Sequence, residues 1–379
     1  MSDERLIPLF DVKLGDREIA AVEETLRSGW LTMGPRTQAF EAAFAEHLGA
    51  KHAFALSSCT AALHLAYLAA GVGPGDEVIV PAITFVASAN AVRYCGATPV
   101  IAEVLGQHDL GLDPDDVLAR ITPRTKAVCA VHYGGYAADV EALGRICEEH
   151  GLALIEDAAH TPSATPVGSD RKLGTFGLSG AFSFFSNKVL SCGEGGLLST
   201  DDDGVAEQVR SLRSHAMTSG TWDRHTGRQE SYDVVGFGFN YRMDELRAAF
   251  GLARLGRLGA EIEHRRAAVR GYRERLAGAP GVTLVWDEAA VEAGSHFAFA
   301  VLFADGEARA RARDLLAERG IQTTRYPVLH SLTEYAPFAD YGSLPAAEAA
   351  ADRHLALPLS ALTTDAQLDA VSEAVRAAA

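Results

Sequence analysis

Lys126-Ala127-Val128-Cys129-Ala130-Val131-His132 is an apolar run, and Leu152-Ala153-Leu154-Ile155-Glu156 is a second. Between them, residues 139–150 (DVEALGRICEEH) carry their apolar positions at helical spacing. The reading is strand, helix, strand. Runs such as Ala153-Leu154-Ile155 do not alternate with polar residues, so both of their faces are buried. Strands of that kind belong to a largely parallel sheet with helices on each side, an α/β fold.

The same alternation extends towards the N-terminus. Residues 16–28 read as a helix, with Ile19, Val22, Glu23 and Leu26 at helical spacing and Gly29 as its stop. A second helix covers residues 37–47 and ends at Gly49. Strands over 52–56, 77–80 and 98–104 are separated by helices over 60–70 and 85–94, and Asp113-Pro114 suits the cap and first turn of another helix. The pattern changes after Gly180. Residues 181–185 and 196–200 read as strands joined by a loop that contains Lys188 and the turn Gly193-Glu194-Gly195-Gly196. A helix follows over 203–214, then a polar stretch over 215–238 that reads as one long loop, a kind of segment that is often functional. Residues 243–276 are helical in pattern, and the last hundred mix strands and helices. We place a domain boundary near residue 255, with residues 1–255 as the larger domain and 256–379 as a smaller α+β one; 379 residues exceed what one core usually serves.

Composition narrows the function. Hydrophobic residues make up 48% and charged residues 22% of the chain, as in an ordinary soluble protein. The net charge of −16 argues against nucleic acid or an anionic membrane as a general partner, because both need a basic face. A small anionic ligand stays possible, since a few local cations hold one. The start Met1-Ser2-Asp3-Glu4-Arg5 is charged, no signal peptide is visible, and no stretch approaches the roughly 20 apolar residues of a membrane span. The five cysteines are odd in number, scattered and without a C-x-x-C pair, which suggests a reduced, cytoplasmic protein. No H-E-x-x-H or Cys/His cluster has metal spacing, so no metal is expected.

Ligands of an open parallel sheet bind at the carboxyl ends of its strands, and four groups fall there. Ser57-Ser58-Cys59-Thr60-Ala61-Ala62 lies between strand and helix; free N–H groups at a helix start suit a phosphate, and Ser58 or Thr60 reads equally as a plain N-cap. Asp157 ends an apolar strand, where a carboxylate is costly unless paired; it is either the cap of a turn or the partner of a protonated ring nitrogen. Lys188 follows an apolar strand and precedes a glycine turn. Most loop lysines are solvated, but one held in an apolar setting has a lowered pKa and forms a Schiff base. Phe85, in Pro81-Ala82-Ile83-Thr84-Phe85, is a core residue or a stacking surface for a flat heterocycle.

The order of these groups resembles the DegT-type sugar aminotransferases, a family of fold-type I pyridoxal-phosphate enzymes, over nearly the whole chain. Ser58-Cys59-Thr60-Ala61-Ala62-Leu63 resembles the family's phosphate turn, and Pro81 to Ala87 its cofactor-stacking segment. Glu156-Asp157-Ala158-Ala159-His160 is similar to its pyridinium-aspartate motif, and Phe182 to Lys188 with Gly193 to Gly196 is similar to its lysine loop. Asn240-Tyr241-Arg242-Met243 and Leu357-Pro358-Leu359 match two further signatures.

The resemblance implies a mostly parallel, seven-stranded type of sheet in the larger domain and pyridoxal 5'-phosphate (PLP, alternating with PMP) as cofactor. It implies that Lys188 forms the Schiff base and moves the proton, that Asp157 pairs with the pyridinium, and that Phe85 stacks on the ring. His160 stands beside the 3-hydroxyl where the family often has Gln, and Thr60, Ala61 and Ser183 hold the phosphate. Asn240 reaches the phosphate of a neighbouring subunit, which makes a homodimer with its active site at the interface; the residue's other reading is a cap for the helix near Met243. Cys59 in place of the commoner Gly, Val189 after the lysine, and Cys192 in the lysine loop depart from the pattern.

The implied reaction moves an amino group from an amino acid, L-glutamate, to the keto group of a nucleotide-linked deoxysugar. A keto-cyclitol acceptor is an alternative. A PMP-dependent sugar dehydratase is another, but such enzymes carry His in place of the lysine. A non-catalytic binding protein would have little use for Lys188, Asp157 and Ser183 together, and a nicotinamide enzyme would need the G-x-G-x-x-G that is missing here. For a diphosphate, the sequence offers Arg213, His215, Arg224, His225 and Arg228 in the polar stretch, and Arg325, Tyr326 and His330 further on. Trp222 and Tyr232 are able to flank a base or sugar. Each loop cation is equally readable as solvated surface.

Overall fold

Strand and helix alternate through the first two hundred residues and build one sheet. The computed structural model describes residues 6–338 and 342–379, and the charged start, Met1 to Arg5, lies outside them. Helices α1 (Asp16–Ser28) and α2 (Pro35–Leu48) lead into β1 (His52–Leu56), α3 (Cys59–Ala69), β2 (Glu77–Pro81), α4 (Ala87–Tyr94) and β3 (Thr98–Ala102). A hairpin, β4 (Val104–Gly106) and β5 (Asp109–Leu112), precedes α5 (Pro114–Arg120), β6 (Thr125–Val131), α6 (Val140–His150) and β7 (Ala153–Asp157). Then come β8 (Ser179–Ser183), β9 (Gly196–Thr200), α7 (Asp203–Leu212) and a short α8 (Thr221–His225). The seven-stranded sheet has the order β1-β9-β8-β7-β6-β2-β3, and only its pairings with β9 are antiparallel.

The apolar runs have a physical explanation in this sheet. Val78 and Val80 of β2, Cys129 of β6 and Ile155 of β7 join the core on the side of α3, with Leu63 and Tyr67. The alternate residues Ile79, Val128, Ala130 and Leu154 join a separate core on the side of α6, with Leu143 and Cys147. Successive side chains point to opposite faces, and both faces are covered, so no polar alternation appears. The outer edge of β1 is blunted by side chains. Glu41 accepts from the Ala55 amide (2.8 Å), Arg213 donates to the Ala55 carbonyl (3.1 Å), and the two side chains pair.

The rest of the chain continues through α9 (Glu245–Leu255), α10 (Leu258–Leu276), β10 (Val282–Leu284), α11 (Glu288–Ala293), β11 (Phe299–Phe303) and α12 (Gly306–Glu318). It ends with α13 (Pro345–Arg353), β12 (His354–Leu357) and α14 (Asp365–Ala378). Strands β10, β11 and β12 form an antiparallel sheet. The boundary we placed near residue 255 would fall in the turn between α9 and α10.

Several expectations need correction. α1 is where its spacing puts it, but its buried residues are Glu18 and Thr25, and Ile19 and Leu26 stay 58% and 54% exposed. Glu18 caps the Gly15 amide (2.8 Å) and pairs with Arg257 (3.1 Å), which turns the polar side inward. The strand expected over 98–104 stops at Ala102, where the Glu103 amide bonds Asp116 instead. The helical stretch over 243–276 is two helices, broken at Gly256 and Arg257. The polar stretch over 215–238 is not irregular throughout, since it holds α8 and a bridge from Met217 to Val234.

β7 ends in two carboxylates that the pleat sends to opposite faces. Glu156 is fully buried and accepts from the amides of Gly174 (2.7 Å), Phe176 (2.6 Å) and Gly177 (2.7 Å) and from His132 Nε2 (3.1 Å). The Ala138 amide donates to His132 Nδ1 (3.2 Å), which puts the ring proton on Nε2. Glu156 thereby ties the turn before β8 under the sheet. Glu156→Ala leaves one buried amide, Gly174, and two half-buried ones, Phe176 and Gly177, without an acceptor, at about 1–3 kcal/mol for each that water does not reach. We expect a loss of about 3 kcal/mol or more in urea unfolding, and a loss below about 1 kcal/mol would refute this role.

Candidate active site

The carboxyl ends of β2, β6, β7 and β8 and the start of α3 surround a cavity of about 390 Å³. Thr60, Phe85, Asp157, His160, Ser183 and Lys188 all line it, and Tyr326 reaches it from the chain between α12 and β12. Ser58 and Cys59 of the turn before α3, also singled out in the sequence, line it beside these seven.

Lys188 sits in the loop between β8 and β9, which is folded on itself by bonds from Lys188 N to Phe185 O (2.9 Å) and from Cys192 N to Phe184 O (2.9 Å). Its amine lies 4.1 Å from the centre of the Phe297 ring. Burial draws its pKa down to about 8, against the pull of Cys59 and Asp157 in the other direction. A neutral amine is therefore accessible near physiological pH, as a Schiff-base nucleophile requires.

Asp157 is 5% exposed, and burial raises its pKa above the ordinary carboxylate value, opposed by hydrogen bonds and by Lys188. Ser88 donates to Oδ2 (2.8 Å) and the Ala159 amide to Oδ1 (3.2 Å). Among the described residues the carboxylate forms no ion pair. Ser88 was missed in the sequence; a serine in the first turn of a helix gives no signal of a distant partner.

At the opposite end, Ser58 is the N-cap of α3 and accepts from the Ala61 amide (3.1 Å). The Ala61 amide is thus used in the cap, and the amides left at the helix start are those of Cys59 and Thr60. Gly196 lets this turn approach β9, because a Cβ there would lie 2.2 Å from the Ser58 carbonyl carbon. The Ser183 hydroxyl accepts from Phe185 N (3.4 Å) beside the same cavity. Helix-start amides and a hydroxyl thus face the same cavity, groups of the kind that suit an anion.

His160 stacks on Phe297 at 3.9 Å and accepts the Gly134 amide at Nδ1 (3.2 Å). Gly134 has φ +70, and a Cβ on it would meet Trp286 at 2.6 Å. With Nδ1 an acceptor, the proton of the neutral ring lies on Nε2. Burial, with help from Lys188 and His132, holds its pKa well below the usual histidine value, so the ring is neutral. Phe85 is 61% exposed at the rim, which rules out the core reading of that aromatic. Phe297 was not singled out in the sequence, as nothing local distinguishes it from core.

Other expected site residues lie elsewhere. Asn240 is exposed and bridges to Ser214, and Asp244, not Asn240, caps α9. His215 is exposed. Arg224 folds back on Ser219 and over the Tyr232 ring, and Arg228 faces Asp223 at 3.7 Å. Arg213 is committed to the β1 edge. Arg325 is exposed, and His330 pairs with Glu348 (3.1 Å). None of these lines the cavity. Among the described residues no His/Cys/Asp/Glu cluster is placed to hold a metal, and no helix is long and apolar enough to cross a membrane. All five cysteines are buried and unpaired.

The profile of the DegT/DnrJ/EryC1/StrS aminotransferase family matches residues 12–376. The chain belongs to that family. It is 44% identical over 271 residues to the spore coat polysaccharide biosynthesis protein SpsC of Bacillus subtilis (strain 168), covering 71% of this chain and 69% of that protein. The crystal structure of S. venezuelae DesV in complex with a ketimine intermediate is similar at a TM-score of 0.89, with 36% identity and 98% of each chain covered. Helicobacter pylori PseC, an aminotransferase involved in the biosynthesis of pseudoaminic acid, is similar at a TM-score of 0.89 and 26% identity, covering 98% of this chain and 99% of that one.

As a member of the DegT/DnrJ/EryC1/StrS family, the protein is an aminotransferase that uses pyridoxal phosphate. The cavity fits that cofactor on its own terms: a dehydrated amine, a buried carboxylate lacking a cation, and an anion cradle all face one space. The pKa of Lys188 gives a test. The amine is protonated and unreactive below about 8 and free above it. Covalent capture of pyridoxal phosphate by the apoenzyme should therefore speed up with pH and level off above about 8. A rate still climbing through pH 10, as for a solvated lysine, would show that the amine is not dehydrated.

Proposed function

We propose that this enzyme is a sugar aminotransferase that moves an amino group from L-glutamate to the keto group of a nucleotide-linked deoxysugar. The names of its relatives support the sugar, through a spore coat polysaccharide in one and pseudoaminic acid in another. In this reading Lys188 would hold the cofactor covalently in the resting enzyme, and its freed amine would move the proton at the donor's Cα. When bound, pyridoxal phosphate supplies the electron sink for the carbanion, and Asp157 keeps its ring nitrogen protonated. His160, neutral and with its proton on Nε2, donates towards the 3-hydroxyl. Thr60 and Ser183 hold the phosphate, and Phe85 covers the ring.

One observation carries the wider reading. The cavity is lined by no arginine, and by no lysine other than Lys188, among the described residues. A cofactor phosphate, a donor carboxylate and a nucleotide diphosphate together bring more negative charge than this wall can hold. Arg224, Arg228 and Asn240 lie between α7 and α9 and do not line their own chain's cavity, which supports a homodimer in which each chain completes its partner's site. Apolar side chains exposed on a single chain support that assembly: Phe237 at 87%, Val235 at 68%, Phe85 at 61% and Ile19 at 58%.

Three experiments test the proposal. Mixing inactive Lys188→Ala with inactive Asn240→Asp subunits should restore part of the activity, because the heterodimer holds one intact site; no recovery after verified subunit exchange counts against a shared site. Keto nucleotide sugars should accept nitrogen from glutamate, as read by mass spectrometry. Arg224→Ala, Arg228→Ala or Arg325→Ala should raise the acceptor KM about tenfold and leave the glutamate half-reaction unchanged, if that arginine forms a charge-assisted contact with the diphosphate. Wild-type acceptor constants in all three would place the diphosphate elsewhere, or mean an acceptor without one.

A further inference from the structure

The proposed role of Asp157 needs its carboxylate to be ionised in a dry place, and burial opposes that. What offsets the burial is a hydroxyl. Ser88 is fully buried in the first turn of α4, with its Oγ 2.8 Å from Asp157 Oδ2. A serine in such a position ordinarily bonds back to a nearby carbonyl. That contact exists here, to Phe85 O, but at 3.3 Å it is the longer of the two. Thr84 Oγ1, itself 4% exposed, lies 2.8 Å from Ser88 Oγ. The Tyr67 hydroxyl donates to the Ser88 carbonyl (3.2 Å) and fixes the backbone from the side of α3.

The proton count sets the direction of this chain. An ionised carboxylate only accepts, so Ser88 spends its single proton on Asp157. Ser88 Oγ then accepts, and the Thr84 hydroxyl donates to it. With Oδ2 unprotonated the run goes from Thr84 to Ser88 to Asp157; a proton on Oδ2 would reverse it and leave Ser88 to donate over the longer contact to Phe85 O (3.3 Å) or to Thr84. With the Ala159 amide on Oδ1 (3.2 Å), each of the two oxygens accepts one hydrogen bond. Other titratable groups near Asp157 are Lys188, His132, Cys59, Cys129 and Tyr67, and none makes a hydrogen bond of comparable length to Oδ2.

We infer that Ser88, backed by Thr84, is a positioning residue that holds Asp157 ionised and oriented for the cofactor's ring nitrogen. This rests on the proposed pairing of Asp157 with that nitrogen. Ser88 touches neither substrate nor cofactor, so its removal acts on turnover through Asp157 and not on binding.

The test uses holoenzyme reconstituted with pyridoxal phosphate carrying 15N at the ring nitrogen. In Ser88→Ala the ring-nitrogen resonance should move from the protonated towards the unprotonated position. kcat should fall about ten- to hundredfold, the scale of one hydrogen bond to a charge, while both KM values stay within about twofold. Thr84→Val keeps the Ser88 donor and removes its support, so it should shift the resonance the same way by less. It also reads the effect should Ser88→Ala fail to fold. In an Asp157→Asn background, Ser88→Ala should move the resonance no further. A purely structural serine would lower stability or cofactor content with the resonance unmoved, and that result overturns the inference, as does a further shift in the Asp157→Asn background. An unprotonated ring nitrogen in the wild-type enzyme would defeat the Asp157 reading itself. A protonated nitrogen in both wild type and Ser88→Ala would defeat only the role given to Ser88.

Discussion

A carboxylate taken out of water costs several kcal/mol unless something replaces its hydration, and β7 ends in two of them side by side. The two are answered differently. Glu156 is satisfied completely by three amides and a histidine, and in being satisfied it fixes the turn that leads into β8. β8 in turn carries Ser183, and the loop after it carries Lys188. Asp157 receives one hydroxyl and one amide and is left open towards the cavity. The same demand, placed on opposite faces of one strand, builds the scaffold on one side and leaves a charge to be completed on the other.

The lysine loop depends on a comparable balance. Its amine is dehydrated among aromatic and apolar groups, which lowers its pKa, and the Phe297 ring offers a weak attraction in place of water. Two buried arginines brace this arrangement. Arg254 donates to the Val189 carbonyl beside the lysine (3.4 Å), and Arg265 donates to the His296 carbonyl beside Phe297 (3.2 Å). Burial draws the Arg265 pKa down to about 10, yet it remains charged, and it is held mainly by carbonyls. Helices remote from the chemistry therefore set where the amine stands.

Much of the fold was legible in the sequence because unbroken apolar runs occur where a strand is covered on both faces, and β2, β6 and β7 are such strands. Boundaries slipped where a side chain competed with the backbone, as when Asp116 took the Glu103 amide and ended a strand early. The inward face of α1 differs from its expected one because Glu18 found a cation in Arg257, 239 residues away in sequence. At the site, Lys188, Asp157 and Ser183 stood out through motif order. Ser88 and Phe297 did not, since each acts by touching a site residue, Asp157 in one case and Lys188 and His160 in the other, and local sequence gives no sign of such a contact.

The sequence by itself determined the α/β class, the order of the sheet's motifs and the presence of an amine, a carboxylate and a helix-start cradle at strand ends, because periodicity and turn chemistry act over a few residues. Only the tertiary structure decided that these meet around one cavity, that Phe85 stands at its rim, and that Arg213, Arg224 and His330 are spent on neighbours of their own. Those outcomes follow from pairings between residues far apart in the chain. A buried charge or an unsatisfied donor takes whatever partner the packed fold brings within about 3 Å, and local sequence carries no record of which partner that is.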